Sequence, residues 1–245
     1  MKFEKIRLFL SASFLFNFIL SQSSIEFTDL VMKDSLFISG RLLHANYDGL
    51  NQIKFLESKK DTIFIAVHGY RSDGDEWVYA LKKMASSRNQ TYYFVNDWNK
   101  CPSTISMKLE QGLKRLIYKN SEIKHIVIFG HSYGGIVVTN LIDVPFPVSV
   151  EIHSIAGPLA GTKKLKILCS NSIKFQEMQM VNSLYEWRTV HKQDGAFKNM
   201  QEDPQVIQIN NSNIMKLPPV FKNGRRLGHN SSITWVIDEY FKKDK

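Results

Sequence analysis

An α/β chain with a mostly parallel central sheet flanked by helices is what this sequence predicts, and three observations carry the prediction. Near-continuous β-branched and aromatic runs at residues 62–67, 92–95 and 126–129 have the composition of strands buried on both faces, as inner parallel strands are. Between the second and third runs, Leu109, Leu113, Leu116 and Ile117 recur at i, i+4, i+7 and i+8, one apolar stripe on a helix. The chain has 245 residues, 43% hydrophobic and 22% charged, enough for one full core. Strands alternating with helices then imply a parallel sheet covered on both sides.

Taken in order, the first element is a targeting segment. Lys2, Lys5 and Arg7 precede an apolar run from Leu8 to Leu20 broken by Ser11, Ser13 and Asn17, and Ser21 and Ser23 offer small residues for cleavage after Ser23. Residues 1–23 therefore read as a signal peptide, and residues 24–245 as one exported domain, periplasmic, secreted or membrane-associated. As a helix the run rises about 20 Å, short of a hydrocarbon core of roughly 30 Å, so an uncleaved anchor is the weaker alternative. No cysteine follows the run, which excludes lipid attachment there.

Residues 35–44 and 51–57 alternate apolar and polar side chains around the turn-rich Asn46, Tyr47, Asp48 and Gly49, and predict an antiparallel pair. Strands are further expected at 148–155, 184–190 and 206–209. The helix with the leucine stripe is expected to take Ser103 or Thr104 as its cap. A last helix begins after Asn230, with Ile233, Val236, Ile237, Tyr240 and Phe241 on one face.

The formal charge is +9, but the basic residues are dispersed, and no nucleic-acid-binding signature or phosphate loop is present, so no nucleic-acid partner is expected. Attraction to an anionic lipid surface fits the same charge. Two cysteines exclude a disulfide-dense scaffold, and seven scattered histidines hold no metal-ligand spacing; no metal or cofactor is expected. Export would let Cys101 and Cys169 pair or remain free thiols. Asn89, Asn210 and Asn230 head glycosylation triplets, which matter only in a eukaryotic secretory route.

The strongest chemical signal is Gly130-His131-Ser132-Tyr133-Gly134. An apolar strand leads into it and a helical pattern leaves it, the context in which a serine sits on a sharp strand-to-helix turn. Such a turn strains the serine backbone and leaves no space for side chains two residues to either side. Upstream, Val67-His68-Gly69-Tyr70 closes an early strand, with room for two strands and two helices before Ser132.

On these motifs the chain resembles the α/β-hydrolase family, in particular its small lipases and esterases, over roughly residues 36–243. The resemblance implies an α/β-hydrolase fold without a large cap domain. It also implies Ser132 as nucleophile, with the backbone N–H groups of Tyr70 and Tyr133 forming the oxyanion hole. The family order of serine, acid, histidine puts the acid at Asp194, in a loop after the penultimate strand. Asp203 is the next candidate, ahead of Asp143, Glu186 and Glu202. The base is His229, between Gly228 and the final helix. The remaining histidines read as structural, the acidic Asp73, Asp75 and Glu76 as charges favoured at a helix start, Trp77 and Trp98 as core or pocket wall, and 222–226 as a solvated loop.

The implied reaction is acyl transfer to water through an acyl-enzyme, with carboxylic esters as substrates. A short lid-like insertion near 156–183, containing Leu159, Leu165, Ile167, Leu168, Phe175, Met178 and Met180, favours acyl or lipid esters over small polar ones. Partners are thus a small-molecule or lipid ester and a membrane surface. An acyltransferase or amidase using the same triad, or a silent binding protein on the scaffold, are the rival readings.

Overall fold

The computed structural model describes residues 24–45, 47–55, 59–172 and 174–242, so the expected leader, Asn46 and Glu57 lie outside the described residues. The elements run β1 (Ser24–Glu26), α1 (Leu36–His44), β2 (Gly49–Lys54), β3 (Lys59–Val67), α2 (Asp75–Ser86), β4 (Asn89–Val95), α3 (Pro102–Lys119), β5 (His125–His131), α4 (Tyr133–Thr139), β6 (Ser149–Ile155), α5 (Lys163–Leu168), β7 (Ser183–Arg188), β8 (Asn213–Lys216) and α6 (Ser231–Tyr240). The sheet order is β1-β2-β4-β3-β5-β6-β7-β8. All pairings are parallel except β2 with β4.

The period-2 alternation of a strand explains why the central runs are apolar throughout. Along β3, Ile63, Ile65 and Val67 enter one core with Leu109, Leu113 and Ile136 of α3 and α4. Phe64 and Ala66 enter the other, with Trp77 and Leu81 of α2 and Ile233 and Val236 of α6. The result is three layers, helix, sheet, helix, with a core on each face of the sheet. Among the described residues no large cap interrupts it; the connection between β6 and β7 holds only α5 and short 3-10 turns.

Three expectations are corrected. Residues 35–44 do not form a strand of an antiparallel pair: they lie almost entirely in α1, and β2 finds its antiparallel partner in β4. The predicted strand at 206–209 is irregular chain outside the sheet, where the Arg188 guanidinium donates to the Ile207 carbonyl at 2.9 Å; the edge strand is β8 instead. Helix α3 starts at Pro102 with Cys101 as its cap residue and no side-chain cap, while the Ser103 N–H is taken by Ser172 Oγ at 3.1 Å.

Cys101 and Cys169 form a disulfide, which joins the start of α3 to the end of α5. Of the apolar residues expected in the lid-like insertion, Leu159 and Phe175 belong to the core, and Leu165, Met178 and Met180 pack against it. Ile167 and Leu168 are exposed.

Candidate active site

Strand β5 delivers Ser132 to the C-terminal edge of the sheet, and α4 begins with the next residue. Ser132 has φ +55° and ψ −118°, a conformation L-residues hold only under constraint. The constraint is main-chain crowding: a Cβ on Gly130 would stand 2.4 Å from the Gly134 carbonyl oxygen, and one on Gly134 2.4 Å from that of Val67. The Ser132 N–H donates to the Ile155 carbonyl at 2.8 Å, which fastens the turn to β6.

The end of β3 lies against this turn, since a Cβ on Gly69 would come within 3.6 Å of Ser132 Oγ. His68 anchors it from beneath, fully buried. Its Nδ1–H donates to the Gly69 carbonyl (2.9 Å), and Nε2 accepts from the Asn96 N–H (3.1 Å). Burial outweighs the Gly69 hydrogen bond and pushes the imidazole down to about 3, so it is neutral and holds one tautomer. Tyr133 opens α4, where the first N–H groups lack intrahelical acceptors. Its hydroxyl donates to the Lys100 carbonyl, next to the disulfide, and burial and then Asp97 push its ionisation up to about 12.

Asp194 is fully buried beside His229, with Oδ2 2.9 Å from His229 Nδ1. Thr189 Oγ1 donates to the same oxygen at 2.5 Å, and the Ala196 N–H donates to Oδ1 at 2.8 Å. Burial alone would raise this carboxyl, but His229, Thr189 and Ala196 outweigh it and hold it below its ordinary value. Gln205 accepts from the Thr189 N–H (2.9 Å), and its amide donates to Asp203 (3.1 Å), so the rival acid braces this network and does not touch the imidazole. Asp143 is exposed beyond α4, Glu186 pairs with Arg188 at 2.7 Å, and Glu202 is exposed.

His229 precedes α6, its ring between His131 (centroids 4.6 Å) and Phe197 (4.9 Å). Burial drives His131 well down, which keeps a second positive charge away from His229, and its Nε2 lies 3.2 Å from the His229 carbonyl. Sequence reading gave His131 no role and passed over Thr189 and Gln205. A polar residue directly after β7 was the only signal for Thr189, and Gln205 lies in the loop between β7 and β8 with none.

Ser132, His229, Gly69 and Tyr70 line one cleft of about 100 Å³, with Ser72, Asp73, Asp75 and Glu76 on its rim. Ser132 and His229 make no hydrogen bond to each other, a contact of the kind that tightens on substrate binding. Ser72 and Asp73 also line a larger open cavity of about 480 Å³ with Arg41, His44, Asp97 and Trp98. A third, of about 360 Å³, adjoins the other side of His229 and includes Arg226.

Fold and site together define an α/β hydrolase. Solved structures with the same fold include an α/β serine hydrolase homologue from Coxiella burnetii, at TM-score 0.55 and 14% identity, covering 79% of this chain and 90% of that one. A metagenome-derived lipolytic enzyme from a study of LipS and LipT gives TM-score 0.52 at 8% identity over 80% and 96%, and Est1E from Butyrivibrio proteoclasticus 0.52 at 13% over 80% and 98%. The chain belongs to the class 3 lipase family, whose model matches residues 64–196 and so includes Ser132 and Asp194. No curated protein matches it.

Proposed function

We propose that the chain is a serine hydrolase of carboxylic esters, acting through an acyl-enzyme on Ser132. The observation that carries this reading is that His229, half-buried and paired with the buried Asp194, opens onto the same cleft as a strained serine. His229 takes the Ser132 proton as the hydroxyl attacks the ester carbonyl, and Asp194 fixes the tautomer and stabilises the imidazolium. The N–H groups of Tyr70 and Tyr133 receive the oxyanion. His229 then protonates the departing alcohol, and a water molecule repeats the sequence on the acyl-enzyme to release the acid. The adjoining cavity offers room for one arm of the ester, and acyl or lipid esters are the proposed class, supported by membership of a lipase family.

A fluorophosphonate probe tests this directly. Wild type is expected to be labelled and Ser132→Ala to remain unlabelled at equal folding; absence of labelling in a folded wild-type sample would overturn the reading. Export with cleavage after Ser23 is part of the proposal, supported by the disulfide, a bond that persists in oxidising compartments. Intact-mass measurement of the mature chain checks it.

A further inference from the structure

We propose that α5 and the residues that follow it form a docking surface for an anionic lipid bilayer, tied through a disulfide to the segment that holds Tyr133. Between residues 156 and 176 the chain carries Lys163, Lys164, Lys166 and Lys174 and no aspartate or glutamate. All four lysines are exposed, and among the described residues none is paired with a carboxylate. Beside them Ile167 and Leu168 are 79% and 65% exposed, two consecutive large apolar side chains in water. Single exposed apolar residues are ordinary on a protein surface. Here they sit among cations, the composition that suits a helix lying in the headgroup layer.

The segment is braced, so this display is built in. Leu165 turns inward onto the core. Thr162 Oγ1 accepts the Leu165 N–H at 3.4 Å at one end, and the bond from Cys169 to Cys101 closes the other. Just beyond, Ser172 hydrogen-bonds to Ser103 Oγ at 3.0 Å, and its carbonyl accepts from Asn140 Nδ2 at 3.1 Å. The brace also reaches the site: Cys101 follows Lys100, whose carbonyl holds the hydroxyl of Tyr133, the residue after Ser132. A bilayer bound to α5 is therefore connected to the Ser132 turn through the disulfide, Lys100 and Tyr133.

Lysines contribute roughly a fivefold gain in partitioning each near an anionic surface, so the three on α5 together account for about 100-fold. The test is sedimentation of the full chain with vesicles of phosphatidylcholine alone and of phosphatidylcholine with phosphatidylglycerol. The readout is the ratio of the two partition coefficients, in which apolar contributions common to both vesicles cancel. Wild type should favour the anionic vesicles by about 100-fold at low salt, falling as salt rises. Lys163→Glu/Lys164→Glu/Lys166→Glu should abolish the preference, and Ile167→Ser/Leu168→Ser should weaken binding to both vesicles alike.

A wild-type ratio near one overturns the proposal, as does a triple variant that keeps the wild-type ratio. Loss of the ratio only in Lys222→Glu/Arg225→Glu would transfer the role to that loop and overturn it equally. Binding needs no turnover, so the docking surface and the ester-hydrolase reading fail separately: a labelled Ser132 without lipid preference sinks the first, and lipid preference without labelling sinks the second.

Discussion

The Asp194 carboxylate has both oxygens engaged in a fully buried site, by the Thr189 hydroxyl, the Ala196 N–H and His229. An amide in its place would present the imidazole with the wrong partner and the wrong tautomer. Asp194→Asn should therefore lower kcat on a soluble short-chain ester by about 10³–10⁴-fold. Asp203→Asn, separated from Asp194 by Gln205 and Thr189, should lower it less than about tenfold; equal losses would mean that the acid lies elsewhere. The sharp turn at Ser132 and the pairing of Asp194 with His229 were legible in the sequence because neighbouring glycines and loop positions carry the signal. Thr189, Gln205 and His131 were not, because a hydrogen-bond relay among loop residues has no periodicity. Asp203 could be ranked second from its position alone, and its contact with Gln205, against the contact of Asp194 with His229, is what separates the two.

At the scale of elements, strands buried on both faces announced themselves, and elements with unusual exposure did not. Helix α1 buries Ser39, Gly40 and Leu43 and exposes Phe37, Ile38 and Leu42, so its apolar residues do not trace a helical stripe and the alternation imitates a strand. It lies so near α2 that a Cβ on Gly40 would stand 2.5 Å from the Asp73 carbonyl oxygen, a tertiary contact invisible to local pattern. Strand β8 fails in the opposite way: its residues are mostly exposed, while the better apolar run just before it is drawn off by Arg188. The disulfide spans 68 residues of sequence, and removing so long a closure from the unfolded chain has a predictable consequence. Cys101→Ser/Cys169→Ser should lose about 2–4 kcal/mol of stability in urea unfolding, with α5 the first segment to gain amide exchange.

Across the whole molecule, the nucleophile's edge of the sheet stores neutral buried histidines. His68 is pushed to about 3 and His131 well down, both chiefly by burial, so the unfolded chain takes up protons near pH 6.5 that the folded chain refuses. A depressed imidazole makes stability greatest above its unfolded value and steadily lower as pH falls toward its folded one. Each contributes up to about 1.4 kcal/mol per pH unit, so stability from urea midpoints should fall as pH drops from about 6 toward 4, with His44, also lowered by burial, adding to the slope. His131→Gln should make that fall shallower, and a flat profile would show that these imidazoles charge freely. The crowding around Ser132 has a further meaning for how this enzyme could be changed. Where not even a methyl group fits, at Gly130 and Gly134, a mutational library will return no improved variants. Under the proposed ester-hydrolase reading, altered substrate preference has to come from side chains such as Arg41, Asp97 and Trp98 in the open cavity.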